Sequence, residues 1–323
     1  MTVILAPMPA IIIASLQSGE GRTAVAAGLG ALLAAEGRTV KLLRLRVEEG
    51  ADAPAEDDAR ALAATPGCSG ARAAVSEQDA QAQAREAGDA VLLIEAPAGV
   101  PAEPATKLAA RVILVTSQLD DLRLGDLVAA RDALGGALAG VIATRQTERS
   151  LGQVEARLTE RGLACLGALP EDRLLAGPTL NEMAEALHAS RLVQGDHEDE
   201  AVEFVMIGPV SADPGQPYFL QHGSKAVVNR FDKMDLHLAA LATEPDCLIL
   251  TGGQQPSPYL LDRVAGSDWG PTVLLSPEGT VRTIEVVDEL YGRTRFSGTR
   301  KLDRAIGLAQ KHVDAGRLLE TLA

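Results

Sequence analysis

At 323 residues the chain has room for two domains with separate cores, and with 46 % apolar but only 2 % aromatic residues those cores are expected to be aliphatic. A net charge of −14 argues against nucleic acid and anionic membrane surfaces as partners, and no apolar run approaches the roughly 20 residues of a spanning helix. Met1-Thr-Val-Ile-Leu lacks the basic segment of a signal peptide, and Cys68, Cys165 and Cys247 are too scattered for a disulfide framework or a zinc site, so a cytoplasmic protein is expected.

Pro7 and Pro9 precede the first clear strand, the apolar run Ile11-Ile-Ile-Ala-Ser15. The loop Leu-Gln-Ser-Gly19-Glu20-Gly21 follows, and a helical pattern begins at Arg22-Thr23 and runs to about Gly37. Strand, glycine loop and helix in that order make an anion site. The first N–H groups of a helix have no intrahelical partner, the helix dipole favours negative charge there, and glycines let the backbone approach a phosphate. In the common form of this loop a glycine opens it, a lysine follows its last glycine and reaches the outer phosphates, and a Ser or Thr holds Mg²⁺. Here Ser15 stands at the opening position, Arg22 replaces the lysine and Thr23 is in place. Arg keeps the charge but not the compact shape of an ammonium.

Val40 to Arg46 reads as a second strand, with Arg44 either adding positive charge near a bound phosphate or lying on a solvated edge. An acidic stretch, Glu48 to Asp58, reads as a loop. Its last member is a candidate metal ligand or, alternatively, a helix N-cap. The run Val91-Leu-Leu-Ile-Glu95 is a buried strand ending in a carboxylate, the position from which Mg²⁺ or its waters are held. Further strands are expected at 111–116, 138–144 and 164–170, and helices at about 121–135, 151–162 and 181–190. This alternation predicts a parallel sheet covered on both faces. The charged run Gln194 to Glu200 interrupts the apolar rhythm, which predicts a first domain over 1–193, a linker over 194–201 and a second domain over 202–323.

The second half is again α/β, with strands expected at 202–208, 226–228, 247–251 and 272–275 and final helices at about 280–291 and 299–321. Asp232, Lys233 and Asp235 precede a helix, and Thr251-Gly252-Gly253 follows a strand. These six residues are a candidate ligand site, since glycines after a strand expose N–H groups to an anion. The alternative is that Asp232 caps the helix and the glycines only make a tight turn.

Ser15 to Thr23, Glu95, Leu166-Gly-Ala-Leu-Pro-Glu-Asp-Arg173 and Leu248-Ile-Leu-Thr-Gly-Gly253 together resemble the amino-terminal region of long phosphate acetyltransferases. In that region a dethiobiotin-synthetase-like P-loop domain precedes a DRTGG domain, and this chain resembles the stand-alone proteins that have only these two. The resemblance implies a P-loop NTPase-like parallel sheet with helices on both faces and a smaller α/β DRTGG domain. It implies ATP and Mg²⁺ as cofactors, with Ser15, Gly19, Glu20, Gly21, Arg22, Thr23 and Thr144 around the nucleotide. Thr23, Asp58 and Glu95 would serve the metal, and Arg22 and Arg44 any phosphoryl chemistry. Arg44 falls at the family's second-strand lysine, and Thr144 where relatives carry the asparagine that reads the base.

Three functions follow from these residues: a nucleotide-binding regulatory or ligand-sensing protein, an ATP-dependent ligase or carboxylase, and a non-catalytic interaction module. The first is the preferred expectation, with a nucleotide or small anionic metabolite as partner and a homo-oligomer as the assembly. The histidines show no metal spacing and no hydrolase order.

Overall fold

The computed structural model describes residues 10–46, 53–208 and 218–320; Pro7, Pro9 and the acidic residues Glu48, Glu49 and Asp52 lie outside them. The chain divides into two compact units, Met1–Asp172 with Leu302–Ala323, and Arg173–Lys301.

In the first unit the elements follow as β1 (Ala10–Ser15), α1 (Arg22–Ala35), β2 (Val40–Arg44), α2 (Ala53–Ala63), β3 (Cys68–Gly70), α3 (Glu77–Glu86), β4 (Val91–Glu95), α4 (Ala102–Lys107), β5 (Arg111–Thr116), α5 (Asp121–Leu134), β6 (Leu138–Gln146), α6 (Glu148–Leu151), α7 (Val154–Thr159) and β7 (Cys165–Pro170). The strands form a seven-stranded sheet in the order β3-β2-β4-β1-β5-β6-β7, parallel at every pairing. All six residues of β1 are buried, as a strand covered on both faces requires. Ala10, Ile12 and Ala14 turn to the layer built by α3, α4, α5 and α7, so Ile11 and Ile13 turn to the other. Burying each isoleucine is worth about 1.5–3 kcal/mol, so strand alternation fixes the register before any polar contact does.

In the second unit come α8 (Arg173–Ala176), α9 (Leu180–Ala186), β8 (Ser190–Val193), β9 (Phe204–Ile207), β10 (Lys225–Arg230), α10 (Met234–Leu241), β11 (Cys247–Thr251), α11 (Pro258–Ala265), β12 (Thr272–Leu275), α12 (Thr280–Leu290) and the start of α13 (Thr299–His312). Its sheet has the order β8-β12-β11-β10-β9, with only β8 antiparallel. One face packs on α9 and α12 and the other on α10 and α11. From Leu302 onward α13, with α14 (Ala315–Glu320), belongs to the first unit.

The expected boundary at 194–201 is therefore corrected. Ser190–Val193, with Ser190 expected to end a helix and the rest to end the first domain, pairs with β12 and already belongs to the second sheet. The charged run is built into that unit: Glu198 Oε1 accepts from Thr272 Oγ1 at 2.6 Å and Glu200 Oε1 from Thr299 N at 2.9 Å. Charge clusters mark a linker only when solvent holds them, and here protein donors do. The final helix is likewise split, with Asp314 N donating to Leu166 O between α13 and α14.

Candidate functional site

In the first sheet, β2 and β4 flank one another in a register that puts Arg44 beside Glu95, and β1 lies between β4 and β5. The connection from β1 runs to one side of the sheet and that from β4 to the other, so their carboxyl ends open onto a topological switch point. The loop from Leu16 to Gly21 fills this place. Gln17, Ser18 and Gly19 are exposed, while Glu20 is buried. Gly19 and Gly21 take φ of 78° and 87°, values that an L side chain rarely adopts, so these two glycines are required by the turn. Gly21 caps α1 with no side-chain hydrogen bond, and the N–H groups of Arg22, Thr23 and Ala24 have no acceptor among the described residues. The expected helix start with free N–H groups is thus in place, a geometry able to receive an anion.

Its side chains are arranged differently from the expectation. Arg22 does not reach along the loop toward outer phosphates. Its Nη1 donates to Ala96 O at 2.8 Å, and its Nε lies 3.9 Å from Glu95 Oε1. Burial makes this the favourable rotamer: the side chain is only 9 % exposed, and a guanidinium so placed needs a carbonyl and a carboxylate around it. Burial also lowers the Arg22 pKa, against the opposing pull of Glu95. Arg44 is buried too, so the solvated-edge alternative falls away. Its Nε stands 3.4 Å from Asp58 Oδ2 and 3.5 Å from Glu95 Oε1, and Nη1 donates to Leu45 O. Asp58 lies within α2 and is no N-cap, since the helix begins at Ala53. Thr23 Oγ1 donates to Glu95 Oε1 at 3.1 Å. Burial, with Asp58 adding to it, pushes the Glu95 carboxyl up to about 7, Arg44 and Arg22 opposing. Burial likewise raises the Asp58 pKa.

Thr23, Asp58 and Glu95 are therefore brought together, with a guanidinium between the two carboxylates. Among the described residues no group of three or more His, Cys, Asp or Glu side chains is placed to hold a metal ion.

Ser15 is buried and donates from Oγ to Gln17 O. The Glu20 carboxylate turns inward, where its Oε2 accepts from Gln17 N at 3.3 Å and its Oε1 lies 3.8 Å from Arg123 Nη2. Thr144 Oγ1 donates to Glu20 O at 2.9 Å, and the Thr144 side chain would sit 3.7 Å from a Cβ at Gly21. Thr144 thus props the loop from behind and is placed as a loop support. Arg123, absent from the sequence-based candidates, is 5 % exposed with Nε unpartnered. The only sequence signal for it is Asp120 three residues earlier, whose carboxylate caps α5 and so places Arg123 in its first turn. Three guanidinium groups, Arg22, Arg44 and Arg123, face three carboxylates, Glu20, Asp58 and Glu95. The cluster is locally balanced in a strongly acidic chain, and the free helix amides tip it toward anions.

In the second unit the proposed anion turn is corrected. Gly252 N donates to Glu278 O at 2.8 Å and Gly253 N to Ser276 O at 3.1 Å, so both amides are used within the fold. Thr251 Oγ1 pairs with Thr280 Oγ1 at 2.8 Å. Asp232 does not cap α10, whose N-cap is Lys233 without a side-chain bond. Instead it pairs with Arg230 at 3.0 Å on the surface. Asp235 lies in the first turn of α10. Fully buried His237 contacts Arg230 O through Nε2 at 3.0 Å, and Nδ1 is without a partner.

The sheet order and the glycine loop between β1 and α1 define the first unit as a P-loop NTPase-like α/β domain. The second unit carries a DRTGG domain, whose family matches residues 182–290. The chain is similar to the phosphate acetyltransferase of Nitratidesulfovibrio vulgaris, at 30 % identity over 160 residues that make up 46 % of this chain and 22 % of that protein. The chain thus spans about a fifth of that relative's length. The DRTGG domain and the likeness to a phosphate acetyltransferase expected from the sequence are borne out, as is the parallel P-loop NTPase-like sheet.

Among solved structures, cell division protein FtsY of Thermotoga maritima matches at 17 % identity and a TM-score of 0.40, covering 52 % of this chain and 64 % of FtsY. The CBS and DRTGG domains of the regulatory region of Clostridium perfringens pyrophosphatase, solved with the activator diadenosine tetraphosphate, match at 10 % identity and a TM-score of 0.32. That match covers 48 % of this chain and 76 % of the other. Among the described residues no helix is long and apolar enough to cross a membrane.

Proposed function

We propose that the chain is a regulatory, ligand-sensing protein whose first unit binds a nucleotide or a related phosphorylated metabolite and whose DRTGG domain completes the sensing function. One observation carries this reading: the three unpartnered N–H groups at the start of α1, beside the buried guanidinium groups of Arg22 and Arg44. Sensing is favoured over phosphoryl transfer because transfer needs a cation aimed at the outer phosphate. Arg22 is instead tied to Ala96 O and Glu95. A homo-oligomer belongs to the same proposal and is read by light scattering.

Calorimetric titration of the full chain with ADP and ATP tests the reading. Binding in the micromolar to millimolar range is expected, and Gly21→Asp, which sets a carboxylate at the helix start, should abolish it. Steady ADP release dependent on an amine or carboxylate substrate would restore the ligase reading.

A second reading is favoured by Glu20, whose own carboxylate takes the Gln17 amide and faces Arg123. In that reading the loop is internally satisfied and the unit is an interaction module. No heat and no change in melting temperature at millimolar nucleotide, for the native chain and for Glu20→Gln alike, would establish it.

A further inference from the structure

Mg²⁺ is the cation that a loop of this class implies, and the oxygen donors for it would come from Thr23, Asp58 and Glu95. In this fold those donors are already committed. Thr23 Oγ1 spends its proton on Glu95 Oε1 at 3.1 Å. The same Oε1 faces Arg44 Nε at 3.5 Å and Arg22 Nε at 3.9 Å, and Asp58 Oδ2 faces Arg44 Nε at 3.4 Å. Mg²⁺ takes about six oxygens in a near-octahedral shell, several of them water and the ligand's phosphates, and is anchored to protein through one or two carboxylates turned toward it. Here both carboxylates turn toward a guanidinium.

Neither cation is free to leave easily. Arg44 is 5 % exposed and also holds Leu45 O, while Arg22 holds Ala96 O. Glu95 Oε2 is the one carboxylate oxygen of the cluster that is buried without a partner. A dication added at this point would have to displace guanidinium groups that already neutralise the two carboxylates.

We propose that the anion site of the first unit works without a divalent cation. Arg22 and Arg44 supply the positive charge, and the ligand is a di- or triphosphate taken as its metal-free anion. This rests on the nucleotide reading above and deepens it. Arginine suits the task, since a guanidinium stays charged while held by carbonyl and carboxylate partners and so acts on the anion by its charge from where it is fixed.

Calorimetry of the full chain with ADP, once in EDTA and once with excess Mg²⁺, tests the proposal. Dissociation constants within about threefold of each other are expected, and a gain of about tenfold or more with Mg²⁺ overturns it. Mn²⁺ titrated into the chain with ADP gives a second readout. Water-proton relaxation no greater than that of Mn²⁺ with ADP alone is expected, and an enhancement overturns the proposal. Arg44→Gln takes the guanidinium away from Asp58 and leaves Glu95 with Arg22 and Thr23, so its affinity for ADP in EDTA should fall and recover in part with Mg²⁺. A folded Arg44→Gln that binds ADP as tightly as the native chain in EDTA overturns it. Absence of heat in both media would overturn the nucleotide reading itself, an outcome distinct from binding that requires the metal.

Discussion

Arg44 on β2 and Glu95 on β4 stand side by side in the parallel register, with Arg44 Nε 3.5 Å from a carboxyl whose pKa burial pushes up to about 7. The raised pKa makes a stability statement. Glu95 binds its proton more tightly folded than unfolded, so its contribution is fully present below about pH 4.5 and is lost as pH rises through about 7. The loss approaches about 3 kcal/mol across that window. Denaturant unfolding at several pH values should show native stability falling relative to Glu95→Gln between those limits. A constant difference would count against the buried carboxyl.

Within the first unit, α1 and α13 approach through small residues. A Cβ built at Gly28 would come 2.6 Å from the Ala309 Cβ and 3.0 Å from Ala305 O. Gly28→Ala should therefore destabilise by about 1–3 kcal/mol, even though alanine favours a helix by about 1 kcal/mol over glycine. Ala309→Gly on the same background should recover part of the loss, read by denaturation midpoints. Additive effects of the two changes would show that the contact is not made.

Lys301 is fully buried, with Nζ donating to Thr294 Oγ1 at 2.8 Å and Arg295 O at 2.7 Å. Burial lowers its pKa to about 8. A depressed lysine contributes stability above its unfolded pKa that is lost as pH falls through the folded one. Native stability relative to Lys301→Met should thus rise between about pH 8 and about pH 10.5. The gain should be about 3 kcal/mol, and a flat difference would contradict it.

Arg300 grips Asp246 through two bonds, Nη2 to Oδ1 at 2.8 Å and Nη1 to Oδ2 at 2.9 Å, with Ser224 Oγ 3.1 Å from the same Nη1. Asp246→Ala leaves a half-buried guanidinium without its carboxylate. Thermal or denaturant unfolding should register a loss of about 2 kcal/mol, less than the roughly 3–5 kcal/mol of a fully buried pair. Asp246→Asn, which keeps one acceptor, should lose less.

The strands were legible in the chain because their signal is local. Ile11-Ile-Ile and Val91-Leu-Leu-Ile are apolar without interruption, and only a sheet covered on both faces buries such runs. Short β3 gave no such signal, since Cys68-Ser-Gly70 carries no apolar run and is a strand only because β2 offers it an edge. The start of α2 gives no local signal for the same kind of reason: the helix begins at Ala53, within the acidic stretch, and Asp58 lies inside it.

The site divides along the same line. Gly19, Gly21 and Thr23 announce an anion loop by spacing, because backbone N–H groups at a helix start need no distant partner. The sequence alone therefore determined two α/β units, the loop and its helix. Tertiary structure decided where the charges went: Arg22 onto Ala96 O, Arg44 between Asp58 and Glu95, Glu20 toward Arg123, and Gly252 and Gly253 into bonds with Glu278 and Ser276. The physical reason is that a buried charge or amide takes whatever partner the packed fold brings within reach. That partner lies 74 residues away for Arg22 and Ala96, a separation no local pattern encodes.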